Sequence, residues 1–506
     1  MAKSIMFQGT ASGVGKSIIT AAFCRIFSND RHIVSPFKSQ NMALNSFITK
    51  DGKEMGRAQV VQAEAAKVEP DVRMNPVLLK PTTDKKSQVI VMGKVKDNLD
   101  ASTYHKEKSS LRNTVIDAYE SLSSENDIIV IEGAGSPAEI NLRENDFVNM
   151  GMAEIAQSPV VLIGDIDRGG VFASLYGTYM LLTDQEKKFV KGVVINKFRG
   201  DLEILKPGLK MLEELIDLPV LGVIPYCDIN IEDEDSLTDR FNLKAQSDKS
   251  VNIKVIKLPH ISNFTDFDVF NTFEDLSLKY VGLNESIGDA DLIIIPGTKN
   301  TIEDLIALRE SGLEEQIIRK HKSGVPVFGI CGGYQMLGKK IMDPEGIECG
   351  IKEIAGMSIL DIETVFEEEK ETTRVKGNIN FDIKSGVFKG LNDVKIEGYE
   401  IHCGRSKNES GAISINEKLG QEVNYCEGSI NEQGNVIGTY LHGIFDSREF
   451  TNIILNNIKE SKGIDKKEDA DISYKEFKEK EYDKLAEHVK KHVDIEKIYE
   501  ILEKGV

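Results

Sequence analysis

The sequence predicts an α/β protein made of two parallel-sheet domains, and three observations carry that prediction. Short, continuous apolar runs ending in Gly, Asp or Pro alternate with longer helix-like stretches, the pattern of parallel strands covered on both faces. The runs fall into two series separated by an acidic polar stretch, DINIEDEDSLTD at 228–239. The chain has 506 residues, more than one compact core accommodates.

In order, the first series is SIMFQG (4–9), DIIVIEG (127–133), PVVLIGD (159–165), GVVIN (192–196) and VLGVIP (220–225). The second is VNIKVIKL (251–258), ADLIIIPG (290–297), VPVFGI (325–330) and VIGTYLHG (436–443). These place a first domain at 1–230, a linker at 231–250 and a second domain at 251–450. Residues 451–506 are rich in Lys and Glu with spaced Ile, Leu and Tyr, as expected of surface helices packed on one domain.

Composition narrows the function classes. A formal charge of -19 argues against a polyanion-binding surface and hence against nucleic acid as principal partner. No apolar run approaches a bilayer span, and MAKSIMFQGT lacks the layout of a secretion signal. Six cysteines include no C-x-x-C pair, which suits a reduced compartment better than a disulfide framework or structural zinc. The expectation is a cytoplasmic protein with no membrane partner: an enzyme or a nucleotide switch.

The first half carries a phosphate cradle. SIMFQG runs into GTASGVGKS and then the apolar IITAAFCRIF. Gly13 and Gly15 let backbone N–H groups turn toward phosphate oxygens, Lys16 reaches the terminal phosphates, and the Ser17 hydroxyl is placed to ligate magnesium. Gly9 lies one residue further from Gly15 than the usual P-loop spacing, and position 10 is Thr. Glu132, closing DIIVI, is either a magnesium ligand or an ordinary strand-terminal acid. Asn196, ending GVVIN, either reads a base edge or caps a turn. Asp165, Asp167 and Arg168 crowd charges after another run, and SPFKSQNMALNS sets Lys38, Gln40 and Asn41 after a probable strand.

GTASGVGKS, PFKSQNMALNS, MNPVLLKP, DIDRGGVFA, INKFRGD, IPGTKNTIEDL, GICGGYQMLG, GYEIHCGRS and GTYLHGIF together resemble the cobyric acid synthase family over about residues 4–446. The resemblance implies a dethiobiotin synthetase-like P-loop domain followed by a class I glutamine amidotransferase-like domain. It implies ATP and Mg2+ as cofactors, and glutamine and an adenosylated corrinoid as substrates. The expected reaction amidates the b, d, e and g carboxylates of adenosylcobyrinic acid a,c-diamide through acyl phosphates, which ammonia displaces. On that reading Ser17 and Glu132 hold magnesium, and Lys38 clamps the γ-phosphate to the substrate carboxylate.

Cys331 alone is either a small buried hydrophobe or a nucleophile. VPVFGICGG followed by YQML has the strand, tight turn and helix start of a nucleophile elbow, with backbone N–H groups at Gly332 and near Gly297 as expected oxyanion donors. His442, ending an apolar run in GTYLHGIFD, is the expected base; the elbow and the resemblance together pair it with Cys331. Many class I amidotransferases place Glu two residues after this His, whereas this chain has Ile444. The third member is thus unassigned, and His402 has either a glutamine-site or a structural role. Two alternatives remain at this level: a cobyrinic acid a,c-diamide synthase, which shares the plan, and a P-loop ATPase switch. The switch is disfavoured by Ala11, where such proteins carry an extra Lys, and has no use for Cys331 and His442.

Overall fold

In the computed structural model, which describes residues 2–83, 86–227, 229–231, 249–407, 409–464 and 473–506, every run of the first series forms a strand of one parallel sheet. Its strands are β1 (Lys3–Gly9), β2 (Val34–Phe37), β3 (Ile128–Glu132), β4 (Val160–Asp165), β5 (Val190–Phe198) and β6 (Val220–Pro225). Their spatial order is β6-β5-β4-β1-β3-β2, with parallel pairing throughout. Ile5 and Phe7 of β1, Val130 of β3 and Ile163 of β4 pack against Ile19, Phe23 and Phe27 of helix α1 (Lys16–Asn29). The Phe7 and Phe23 rings stack at 4.7 Å. Gln40–Met42, Val77–Thr83, Lys86–Val91 and Lys94–Asp100 form a second, four-stranded sheet, whose first two strands lie in the SPFKSQNMALNS and MNPVLLKP stretches.

The second series forms another parallel sheet. Strands β7 (Val251–Ile256), β8 (Leu276–Val281), β9 (Leu292–Ile295), β10 (Val327–Ile330), β11 (Ser429–Ile430) and β12 (Val436–Thr439) lie in the order β8-β7-β9-β10-β12-β11. Only the β11–β12 pair is antiparallel. Helices α2 (Thr301–Ser311) and α3 (Gly332–Leu337) follow β9 and β10. The core is mostly Val, Ile and Leu, with a Phe cluster in which Phe328 of β10 sits 5.0 Å from Phe445 and 6.2 Å from Phe450. Between β10 and β11 lies a largely antiparallel sheet that the sequence reading missed. Its longest strands, Glu363–Ile379 and Lys395–Lys407, pair over most of their length. The run EEEKETT at the centre of the first hides the strand period, because exposed charged positions interrupt the alternation.

The chain forms two units, Met1–Ala43 with Glu54–Glu234 and Lys478–Val506, and Leu44–Lys53 with Asp235–Phe477. Two expected boundaries need correction. Residues 44–53 belong to the second unit although their neighbours on both sides belong to the first. Residues 451–506 are not one extension on one domain. Helix α4 (Arg448–Ser461) buries Phe450, Ile454 and Ile458 in the second unit. From Lys478 onward, α5 (Tyr474–His492) and α6 (Ile495–Lys504) bury Tyr482, Leu485, Val489, Ile498 and Leu502 in the core of the first. There the buried Arg25 guanidinium bonds Glu479 at 2.7 Å and Asp483 at 2.8 Å. Most of the expected linker, 231–250, lies outside the described residues. Among the described residues no helix is long and apolar enough to cross a membrane.

Candidate active site

The residues singled out in the first half converge at the carboxyl ends of β1, β3 and β5, the place where open parallel sheets bind ligands. Gly9 ends β1 and the loop 10–15 leads into α1. Gly15 caps that helix at φ 97°, a conformation open to glycine, and a Cβ there would collide with the Asn196 amide. Lys16 Nζ donates to the Ala11 carbonyl at 3.1 Å and the Gly135 carbonyl at 3.0 Å. Ser17 Oγ donates to Glu132 Oε1 at 2.8 Å, and Lys38 Nζ reaches the same oxygen at 2.8 Å with both partners buried. Gln62, which the sequence reading did not single out, donates to the other oxygen, Oε2, at 2.5 Å. It lies in a helical run, EMGRAQVVQAEA, with no local feature that separates it from its neighbours.

Asn196 stands beside the loop, its Nδ2 donating to the Val14 carbonyl at 2.9 Å. Lys197, also unremarked in the sequence, donates to the Gly13 carbonyl at 2.6 Å and pairs with Asp165 at 2.9 Å. Asp167 pairs with Arg199 at 3.2 Å. The charge cluster of DIDRGG thus braces the loop-bearing end of the sheet. Ser17 and Glu132 supply one hydroxyl and one carboxylate at a single point. Among the described residues there is no group of three or more His, Cys, Asp or Glu able to hold a metal ion. A donor set this sparse suits magnesium, which completes its octahedron with phosphate oxygens and waters.

In the second half, the carboxyl ends of β9, β10 and β12 carry Gly297, Cys331 and His442. Cys331 itself takes the strained backbone of the elbow, φ 50° and ψ -109°, a costly conformation for a residue with a side chain. The two glycines after it serve close approach. A Cβ at Gly333 would collide with the Ile295 carbonyl, and one at Gly332 would lie 2.6 Å from Thr298 Cγ2 and 3.2 Å from the Thr298 nitrogen. A Cβ at Gly297 would meet His442 Cε1 at 2.9 Å. The loop after β9 therefore touches both the elbow and the imidazole.

The Cys331 thiol donates to the Ile401 carbonyl at 3.8 Å and helps to raise the buried His442 ring. His442 Nδ1 lies 2.7 Å from Asp266 Oδ2. An ionised carboxylate only accepts, so Nδ1 carries the proton and Nε2 faces the thiol side. Asp266 Oδ1 accepts the Gly443 N–H at 3.0 Å, which fixes the carboxylate at both oxygens. Burial opposes a charged His442, but the Asp266 charge and hydrogen bond, with the Cys331 thiol, outweigh it and raise the imidazole to about 10. The Tyr399 ring stacks on the imidazole at 5.2 Å.

Asp266 thus meets the imidazole where Ile444, two residues past it, offers no acid. It precedes the cysteine in the chain, so a search downstream of the histidine could not find it. The available signal was acid in an aromatic stretch, NFTDFDVF at 263–270, since a carboxylate among core residues calls for a partner. His402 is pinned: Nδ1 donates to the Gly404 carbonyl at 2.8 Å and its ring stacks on Tyr440 at 3.8 Å. Burial lowers it to about 4, keeping it neutral. The third histidine of note, His260, bonds Asp304 at 2.7 Å, and Asp304 also accepts from the Thr298 hydroxyl beside the elbow.

A P-loop cradle on one sheet and a Cys-His-Asp array on another define a two-part, nucleotide-binding amidotransferase. Residues 5–237 match the CobQ/CobB/MinD/ParA nucleotide binding domain, and residues 252–450 match the CobB/CobQ-like glutamine amidotransferase domain. The chain is 55% identical to a cobyric acid synthase of Alkaliphilus metalliredigens (strain QYMF), over 98% of this chain and 99% of that one. It is 53% identical to one of Thermoanaerobacter sp. (strain X514) over 100% and 99%, and 54% identical to one of Clostridium botulinum (strain ATCC 19397 / Type A) over 99% of each. The chain belongs to the cobyric acid synthase family, glutamine-hydrolysing ligases that carry out amidation in cobalamin biosynthesis.

Proposed function

We propose that the chain amidates the b, d, e and g carboxylates of adenosylcobyrinic acid a,c-diamide, with Cys331 releasing the ammonia and the P-loop site activating the acids. The observation that carries this reading is the Asp266–His442 pair at 2.7 Å, with Cys331 on a neighbouring strand end of the second sheet acting on the same imidazole. Cys331 Sγ attacks the glutamine side-chain carbonyl while backbone N–H groups of Gly332 and the Gly297–Thr298 loop receive the developing oxyanion. The His442 imidazolium gives its proton to the departing nitrogen, and ammonia leaves. Water then hydrolyses the thioester to glutamate and restores the thiol.

In the first unit, the γ-phosphoryl group of ATP passes to a substrate carboxylate oxygen, and ammonia displaces phosphate from the acyl phosphate to form the amide. Lys16 and the loop amides hold the phosphates, and Lys38 bridges the γ-phosphate to the incoming acid. Asn196 holds the nucleotide loop in shape through Val14. Ser17 and Glu132 would hold Mg2+, which when bound neutralises phosphate charge. Incubation with ATP, magnesium, glutamine and the adenosylated diamide, followed by mass analysis, tests the whole. The expected product carries four new amides; a chain that instead adds two to cobyrinic acid is a diamide synthase, and ATP turnover indifferent to glutamine and corrinoid is a switch.

A further inference from the structure

Residues 44–53 are a piece of the first half's sequence built into the second unit, and Asn45 and Ser46 at its start bond the residues around the glutaminase histidine. The Ser46 N–H donates to Asn263 Oδ1 at 3.0 Å, and Asn45 Oδ1 accepts the Phe264 N–H at 3.3 Å. The Tyr399 hydroxyl, whose ring lies on His442, donates to the Ser46 carbonyl at 3.3 Å. Asn263 is buried and sits at φ 52°. Its Oδ1 is taken by Ser46, so its other end must be the amide nitrogen, and that nitrogen lies 3.4 Å from His442 Nε2. Amide orientation is settled by such a network of donors and acceptors.

An N–H directed at Nε2 has a definite consequence. A neutral Nε2 could accept it, but on the imidazolium that Asp266 favours the two N–H groups face each other donor against donor, a contact that weakens the ring's hold on the proton it takes from the thiol. We propose that Asn263 is a positioning residue which restrains glutamine hydrolysis, and that residues 45 and 46 set the restraint by fixing which end of its amide faces His442. Asp266 pulls the ring toward imidazolium from Nδ1, and Asn263 opposes it from Nε2. Were residues 45 and 46 to withdraw, a half-turn of the amide would present Oδ1 instead and reverse the sign. Because Leu44 and Lys53 join directly to Ala43 and Glu54 of the nucleotide-binding unit, strain in that chain segment has a covalent path to the amide.

This inference rests on the reading of Cys331 and His442 as the glutaminase pair. The test measures kcat and KM for glutamine hydrolysis without ATP or corrinoid, in the full chain and in Asn263→Asp, Asn263→Ala, Ser46→Pro and Cys331→Ser. Ammonia-driven amidation is measured alongside as a check that the synthetase half is folded. Asn263→Asp keeps the acceptor for Ser46 and replaces the opposing donor by an acceptor. It should raise kcat about 2- to 10-fold, the range of one hydrogen bond, with KM and the ammonia-driven rate unchanged. Ser46→Pro, which removes the N–H that fixes the amide, should act in the same direction. A merely structural asparagine gives a fall in kcat in Asn263→Asp, Asn263→Ala and Ser46→Pro alike; that result, or an unchanged kcat in Asn263→Asp, overturns the restraint. If Cys331→Ser still hydrolyses glutamine, the site reading itself fails; if it is silent while Asn263→Asp is unchanged, only the restraint fails.

Discussion

Asp266 and His442, 176 positions apart in the chain, meet at 2.7 Å with both side chains buried. The acid comes from the segment after β7, whereas many class I amidotransferases place a Glu two residues past the histidine and this chain has Ile444 there. Its electrostatic effect has a sign that can be measured. His442 is raised to about 10, so its imidazolium contributes stability fully below its ordinary value and loses it as pH climbs through about 10.

Asp266→Asn removes the charge that raises His442 and leaves burial, which lowers it. The alkaline limb of the glutaminase pH profile should move to lower pH, and kcat should fall by roughly 10²-fold or more, as for loss of acid–base catalysis. A pH–rate series on both proteins checks this. An unchanged alkaline limb in Asp266→Asn removes Asp266 from the array.

Cys331→Ser should abolish glutamine-driven amidation and retain amidation driven by added ammonia, since the P-loop site lies in a different unit. Product mass analysis with each nitrogen source separates the two. Equal loss of both would mean that the thiol is not confined to ammonia release.

Much of this was readable from the residues. Nine strands of the two sheets fall on the apolar runs of the two series, so their existence followed from burial on two faces, whereas β2 (VSPF), β8 (LSLKYV) and β11 are too mixed or too short to stand out. Cys331 and His442 each end such a run, and the sheet brings those ends together. What escaped was what local pattern does not encode. Asp266 and Gln62 are positioned by tertiary packing, and residues 44–53 join the second unit through bonds to residues 263 and 264, more than 200 positions away. The helices after 450 present apolar faces of one kind, and nothing in such a face says which core it covers.

Glu132 is surrounded by donors from Ser17, Lys38 and Gln62. Lys38→Met keeps much of the side-chain volume and removes the charge from a buried pair. Leaving the other charge uncompensated costs about 3–5 kcal/mol. Amidation should fall with glutamine and with ammonia alike, while glutamine hydrolysis, which does not use Lys38, persists. Normal ammonia-driven amidation in Lys38→Met would remove it from the phosphoryl-transfer site.

Gly333 abuts the Ile295 carbonyl so closely that a methyl group has no room. The obstacle is backbone in a central strand, which cannot rotate away. Gly333→Ala should therefore displace the elbow and cost about 1–3 kcal/mol through overpacking. Thermal melting and glutaminase assay should fall together, and ammonia-driven amidation should survive at temperatures below the new transition.

The second unit also buries acids besides Asp266, and these give it an unusual pH dependence. Burial raises Glu348, Glu400 and Glu409 each to about 7, and raises Glu427, which accepts hydrogen bonds from Thr439 and the Tyr440 N–H. A carboxyl with a folded value above its unfolded one binds its proton more tightly in the native state. Its stabilisation is complete below about 4.5 and is lost as pH rises through about 7. His442 changes in the same direction between its ordinary value and about 10, while His402, lowered to about 4, has finished its opposite change by about 6.5. Above that point every one of these groups acts with one sign, so raising the solution from about pH 6.5 to about pH 8.5 should lower the melting temperature by at least ~2 °C. Glu409→Gln, which removes one of the titrating carboxyls while keeping an acceptor for the Tyr334 hydroxyl at 3.1 Å, should flatten that slope. A melting temperature that climbs across the same interval would show that these carboxyls stay ionised in the folded protein.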